Sequence, residues 1–331
     1  MCLPNNSIAH NFLIQLRKED LLPELKSKLA KGVYAASLTP LNDQLEIDHV
    51  RLAHHCHWLL EHGCTGILLM GTTGEANSFS IAERMVALDA VIESGIPAQK
   101  LLVGTGCCAV PDTILLSQHA LSHNVAGLVM LPPFYYKNAN DAGLFDAFDQ
   151  IIHGVNDDRL KIYLYHFPQM SAVPFSFSLI EKLLATFPDQ IAGIKDSSGE
   201  WENMKLLATT FPNFQVFAGS ERFLAGIKEV GGAGCISATV NVSCRDAAFL
   251  FQETQKNRIE ELQNKLNKLR LIIEKYPMIP TLKQVMYQQN AEPGWLNMRP
   301  PHIALTKQEV SMLTNELAAI NFPNDYIQRV E

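Results

Sequence analysis

From Gly32 onward, short apolar segments alternate with longer stretches of helical periodicity eight times over, and few folds accept that pattern. The apolar segments, read as strands, fall near 33–38, 66–70, 100–104, 127–131, 161–165, 190–195, 215–218 and 234–237. Helical stretches follow near 49–62, 81–94, 111–123, 141–154, 177–187, 200–211, 221–230 and 244–276, with Asp48, Ser80 and Asp141 as cap residues. The strands are rich in Val, Ile and Leu without polar alternation, so both faces should be covered, as they are in parallel sheets. Eight such units close into a barrel. The predicted fold class is therefore α/β, a (β/α)8 TIM barrel over residues 32–276. An open doubly wound sheet would favour a Gly-x-Gly-x-x-Gly turn after its first strand. Here that strand runs into Leu38-Thr-Pro-Leu41, which also argues against a dinucleotide; no cofactor is predicted.

The last of the eight helices carries Ile259, Leu262, Leu266, Leu269 and Ile273 at spacings of three and four. Two heptads do not make an independent coiled coil, so the stripe should lie against the barrel or a neighbouring subunit. Residues 279–289 and 307–319 read as additional C-terminal helices, within a segment 277–331 packed on the barrel from outside. Residues 1–31 form an N-terminal extension, in which Phe12 to Leu29 reads either as a short amphipathic helix or as a solvated tail.

At 331 residues and 47% hydrophobic content, one large core is feasible and no second globular domain is required. The formal net charge of −7 offers no basic field for nucleic acid or an anionic membrane. No run reaches the length of a membrane span, and Met1 to Lys31 lacks a signal-peptide cleavage pattern. Seven cysteines, without a Cys-x-x-Cys pair, fit reduced thiols acting as small hydrophobes in the cytoplasm.

In a barrel, the loops after the strands gather on one face. This chain brings there Gly71-Thr-Thr-Gly-Glu75, Gly104-Thr-Gly106, Pro132-Pro-Phe-Tyr-Tyr136, Tyr165-His-Phe-Pro168, Lys195, Gly219-Ser-Glu-Arg222 and Ser237-Ala-Thr-Val-Asn241. The glycine-rich turn at 71–75 lacks the lysine of a phosphate-binding loop. Its N–H groups and the hydroxyls of Thr72 and Thr73 suit a small carboxylate; the alternative is a turn whose threonines satisfy their own backbone.

Lys195 ends the apolar run Ile191-Ala-Gly-Ile-Lys195, and an amine at the lip of a buried strand can shed solvation and attack a carbonyl. Tyr165 stands at the end of the preceding strand, and adjacent strands lie roughly 4.8 Å apart, so its phenol can approach that amine. Such a pair can form an iminium with a 2-oxo acid and move the proton that carbon–carbon cleavage requires. Thr72 and a tyrosine of the Tyr135–Tyr136 pair are candidate relays.

Other polar residues carry less. His54, His55, His57 and His62 crowd one helix whose buried side is defined by Leu52, Cys56, Leu59 and Leu60; without a His-Glu-x-x-His motif, no metal is predicted. His166 reads equally as a structural hydrogen-bonding group and as a substrate contact. Glu221 and Arg222, after the Gly219 turn, either touch the distal end of a substrate or cap a helix.

Between Gly32 and Leu305, the ordered set Gly71-Thr-Thr-Gly-Glu75, Tyr165-His-Phe-Pro168 and Gly193-Ile-Lys195-Asp-Ser-Ser-Gly199 resembles the pyruvate-dependent class I aldolase family that includes dihydrodipicolinate synthase and N-acetylneuraminate lyase. The resemblance implies a Schiff base at Lys195, proton transfer by Tyr165 and a pyruvate carboxylate held at Thr72 and Thr73. It also implies a homodimer or homotetramer, in which a tyrosine matching Tyr136 reaches a neighbouring active site in some members.

The synthase carries an arginine where this chain has Pro168-Gln-Met-Ser171, so Met170 argues against dihydrodipicolinate synthesis. The acidic pair and serine of the sialic acid lyase would fall near Glu221, Arg222 and Ala238, and only part survives. The expected activity is reversible cleavage of a 2-keto-3-deoxy sugar acid, such as 2-keto-3-deoxygluconate, into pyruvate and an aldehyde. The alternatives are dihydrodipicolinate synthase, a Schiff-base hydratase or dehydratase, and a noncatalytic ligand-binding barrel.

Overall fold

A computed structural model describes residues 29–323. Eight parallel strands, β1 (Gly32–Ala36), β2 (Gly66–Leu69), β3 (Leu101–Gly104), β4 (Gly127–Met130), β5 (Ile162–His166), β6 (Ile191–Asp196), β7 (Gln215–Ala218) and β8 (Gly234–Ser237), form a barrel closed by β1 pairing with β8. Helices α1 (His49–Glu61), α2 (Ile81–Glu93), α3 (Val110–Ser122), α4 (Asp141–Val155), α5 (Phe177–Thr186), α6 (Trp201–Thr210), α7 (Leu224–Glu229) and α8 (Cys244–Gln252) cover the outer face. Three more follow: α9 (Lys256–Ile273), α10 (Met278–Asn290) and α11 (Lys307–Ala319). The (β/α)8 barrel with additional C-terminal helices is thus the observed architecture.

The period-2 alternation of each strand divides the core in two. Ala35, Ile67, Leu164 and Ile194 point outward into the layer shared with the helices, whereas Tyr34, Leu68, Leu102, Val129, Tyr163, Tyr165, Phe217 and Ile236 fill the interior. Inside the barrel, Phe217 meets the rings of Tyr34 and Tyr163 edge to face at 5.5 and 5.9 Å. Large rings fit because glycines face them: a Cβ on Gly66 would stand 2.5 Å from the Tyr34 ring, and one on Gly193 2.8 Å from that of Tyr163. Tyr163 Oη donates to Gln215 Oε1 at 2.7 Å, and Gln215 Nε2 donates to Leu29 O at 2.7 Å, which ties the segment before β1 to the end of the barrel at which β7 begins. Leu29 therefore belongs to the barrel floor, and the helix-or-tail reading of Phe12 to Leu29 otherwise lies outside the described residues.

Several local expectations need correction. The helix expected over 244–276 is two helices, because Glu253 adopts extended backbone and its carboxylate accepts from the N–H groups of Thr254 and Gln255. The stretch 221–230 begins with a 3-10 turn, Glu221–Phe223, before α7. Asp48 and Ser80 cap α1 and α2 as expected, the latter in a capping box with Glu83, but α4 is capped by Asn140, whose side chain accepts from Gly143 N. The apolar stripe of α9 buries Leu266, Leu269 and Ile273 together with Ile272; Leu262 is only partly buried and Ile259 is not in the core. On α1, Leu60 is half-buried while His55 and Trp58 are in the core. His55 Nε2 is hydrogen-bonded to Asn241 Oδ1 at 2.7 Å, and burial lowers its pKa to about 4.

Candidate active site

The register of the sheet puts Tyr165 directly opposite Lys195, at the C-terminal ends of β5 and β6. Both are buried, and Lys195 Nζ lies 4.2 Å from the centroid of the Tyr165 ring. A cation over an aromatic face is attracted to it, and the contact also fixes where the flexible lysine stem ends. Among the described residues, no carboxylate stands within ion-pair distance of Lys195. Tyr165 Oη donates to Thr72 Oγ1 at 3.3 Å, which joins β5 to the loop after β2.

That loop is built from a tight turn. Glu75 N donates to Thr72 O and Ala76 N to Gly71 O, while Glu75 itself adopts a left-handed conformation with φ of 57°. Its fully buried carboxylate forms an ion pair with Lys283 of α10 and accepts from Arg299 N at 3.3 Å. Lys283 Nζ also donates to Asn297 O at 2.8 Å, and burial pushes its pKa down against the opposing pull of Glu75. The C-terminal helices thereby hold the loop that presents Thr72 and Thr73.

These groups border one cavity of about 800 Å3 at the barrel mouth, lined by Thr72, Thr73, Tyr165, Lys195, Gly219 and Arg222 among others. A second cavity, of about 550 Å3 beside Tyr163 and Phe214, lies at the opposite end of the strands. Loops at the C-terminal ends of the strands carry the chemistry in this fold, so the mouth is the candidate active site.

Glu221 is placed differently from the sequence expectation. It is fully buried behind the cavity wall, where its carboxylate accepts from the hydroxyls of Ser237, at 2.5 Å, and Thr239. Arg270 of α9 stands 3.7 Å from it, donates to Ser237 Oγ and Thr239 Oγ1 at 3.1 Å each, and lines the cavity. Glu274 accepts from Arg270 Nε at 2.7 Å and from Arg222 Nη1 at 3.4 Å. The distal wall thus alternates cations, carboxylates and hydroxyls. Sequence reasoning missed Arg270 and Glu274; the available signal was an arginine interrupting the buried stripe of α9 between Leu269 and Ile273.

His166 accepts from Phe175 N at 3.1 Å, a structural bond that pins the loop after β5, and burial lowers its pKa against the opposing charge of Asp196. Asp196 shapes the turn after Lys195 by accepting from Ser198 N, Ser198 Oγ and Asn203 Nδ2. Met170 borders the cavity where the sequence lacks an arginine. Tyr135 and Tyr136 stack edge to face, are 71% and 74% exposed and do not line the cavity of their own chain. Three potential metal ligands converge among the described residues at Asp89, His119 and His123, none of which borders the mouth.

The fold and mouth define a (β/α)8 barrel with a buried lysine–tyrosine pair at the C-terminal ends of its strands. The model of the dihydrodipicolinate synthetase family matches residues 29–320, and the chain belongs to that family. It is 32% identical over 285 residues to a protein of Chloroflexus aurantiacus described as an uncharacterized DapA-like lyase, covering 86% of this chain and 94% of that one. It is 25% identical over 290 residues to the 4-hydroxy-tetrahydrodipicolinate synthase of Oceanobacillus iheyensis, covering 86% and 96%. The crystal structure of dihydrodipicolinate synthase from Agrobacterium tumefaciens superposes with a TM-score of 0.81 at 27% identity, covering 87% and 99%. Family membership makes this chain an enzyme of the dihydrodipicolinate synthetase group. Among the described residues no helix is long and apolar enough to cross a membrane.

Proposed function

We propose that the chain is a Schiff-base aldolase that reversibly cleaves a 2-keto-3-deoxy sugar acid, such as 2-keto-3-deoxygluconate, to pyruvate and an aldehyde. The observation that carries this reading is the buried Lys195 Nζ, 4.2 Å from the Tyr165 ring whose hydroxyl reaches Thr72. The amine attacks the C2 ketone and water leaves, which produces an iminium conjugated to the acid. Tyr165 takes the C4 hydroxyl proton, the C3–C4 bond breaks, and its electron pair enters the iminium as an enamine. The aldehyde departs, C3 is protonated, and water releases pyruvate from Lys195. Thr72 and Thr73 bind the carboxylate through the turn that displays them. Gly219 opens the wall where the distal chain lies, with Arg222 and the carboxylate-bound Arg270 beside it.

The mixed wall supports a neutral, hydroxyl-bearing chain. Arg222 and Arg270 are each paired with Glu274, and Arg270 stands near Glu221, so donors and acceptors alternate. In the assembly we propose, a homodimer or homotetramer, Tyr136 enters a neighbouring site as a proton relay. A reducing, cytoplasmic setting fits the six cysteines of the described residues, none of which forms a disulfide.

A second reading, condensation of pyruvate with aspartate semialdehyde, draws on Arg222 and Arg270 as substitutes for the arginine replaced at Met170. The two readings separate in one assay series. Borohydride with pyruvate should attach a reduced adduct to Lys195, and a panel of 2-keto-3-deoxy acids should release pyruvate. An intact mass unchanged by the treatment would falsify the imine. Turnover of aspartate semialdehyde in place of the sugar acids would establish the synthase, loss of water without aldehyde a hydratase, and binding without turnover a noncatalytic barrel.

A further inference from the structure

Outside the barrel mouth, α2 and α3 bring two imidazoles and a carboxylate to one point. His119 lies on α3 and His123 caps its C-terminus, so the i, i+4 spacing stacks both rings on the same face. Their Nε2 atoms approach the same oxygen, Oδ1 of Asp89 on α2, at 2.9 and 2.7 Å. The three donor atoms lie within 4.8 Å of one another, and the rings meet edge to face at 5.1 Å. The side chains are 17%, 27% and 36% exposed for His119, His123 and Asp89, so the cluster is open on one side and backed by protein on the other.

We propose that Asp89, His119 and His123 form a binding site for a divalent transition-metal ion of the zinc, cobalt or nickel type. Two imidazoles and one carboxylate supply the nitrogen and oxygen donors that such ions prefer, whereas magnesium and calcium favour all-oxygen shells. Ligand bonds of about 2.0–2.2 Å in a tetrahedron separate donor atoms by roughly 3.3 Å, so small side-chain rotations would convert the present hydrogen-bonded triangle into three ligands. The open side leaves the fourth position to water. With neutral imidazoles the cluster carries one negative charge, which the cation overcompensates. Met85 O, 3.3 Å from His119 Nε2, adds an acceptor on the same face of α2. A bound ion would brace two outer helices that follow the strands carrying the Gly71–Glu75 and Gly104–Gly106 loops. This site is independent of the aldolase reading, since none of its residues borders the mouth cavity.

The test uses full-length protein stripped with a chelator and titrated with cobalt(II), then zinc(II). One equivalent should bind, with cobalt ligand-field bands but no thiolate charge-transfer band. Hundredfold excess over the dissociation constant should raise the melting temperature by a few degrees. Asp89→Asn and His123→Ala should each weaken binding at least about tenfold, as loss of one ligand does, while Cys107→Ser and Cys108→Ser leave it unchanged. Wild-type affinity in both ligand variants, a thiolate band that vanishes in the serine variants, or no saturable uptake up to about 1 mM zinc would each overturn the assignment.

Discussion

Tyr163 and Tyr165 occupy the same strand, point into the same barrel and stand one pleat apart, yet their hydroxyls do different work. Tyr163 lies at the opposite end of the strands from the mouth, beside the second cavity, where its hydroxyl is bound to Gln215 and burial pushes its pKa up. Tyr165 lies one layer higher, where its hydroxyl reaches Thr72 beside a cavity and its ring supports Lys195. Residue type, strand and facing are constant between them, so depth along the barrel axis ties one hydroxyl to Gln215 and places the other at the mouth, where the proposed proton transfer would use it.

Exchange of each tyrosine for phenylalanine puts that contrast at greatest risk. Tyr165→Phe should lower kcat by roughly 10^2- to 10^4-fold while borohydride still traps pyruvate on Lys195. Tyr163→Phe should leave kcat nearly unchanged and cost about 1–3 kcal/mol in denaturant unfolding, because Gln215 Oε1 loses its buried donor. Equal losses of kcat in the two variants would remove the distinction by depth.

The mouth also depends on a contact outside the barrel. Lys283→Met strands the buried Glu75 carboxylate and should destabilise the fold by about 3–5 kcal/mol, with a raised KM for the 2-oxo acid from a loosened Thr72–Thr73 turn. An unchanged melting temperature together with an unchanged KM would show that the turn holds itself.

A third measurement concerns pH. His55 is buried with its pKa lowered to about 4, while in the unfolded chain it titrates near 6.5. Between these values the unfolded state binds a proton that the folded state refuses, so stability is complete above about pH 6.5 and falls as the pH drops toward 4. The loss attributable to this group reaches at most about 3 kcal/mol, and His55→Gln should flatten that part of the stability profile. A smaller effect is expected at the rim. Arg222→Ala should raise the KM for the sugar acid by several-fold and leave pyruvate trapping intact, since Arg222 is 40% exposed and its pair with Glu274 is solvent-screened.

The barrel was legible because each strand is a short, uniformly apolar run and each helix has its own period, both local properties of the chain. The Lys195–Tyr165 pair was legible for a related reason: consecutive βα units place consecutive strands side by side, so two strand-end residues could be paired without coordinates. Glu253 and Asn140 were misjudged because side-chain bonds to nearby N–H groups decide helix ends, and several polar residues competed for that role. Arg270 and the burial of Glu221 were not legible. They meet across α9 and the 3-10 turn after β7, and no local pattern announces which face of α9 the arginine joins.

The amino-acid sequence by itself determined the number and order of the strands, the helices between them and the residue types delivered to each strand end, since these follow from short-range periodicity. Tertiary structure alone decided which of two tyrosines meets the barrel mouth, which glutamate is sealed behind its wall, and how Lys283 reaches Glu75 and two histidines share Asp89. Those outcomes depend on register, helix rotation and barrel closure, which bring side chains from separate elements within bonding distance, and such long-range geometry leaves no mark in the local pattern.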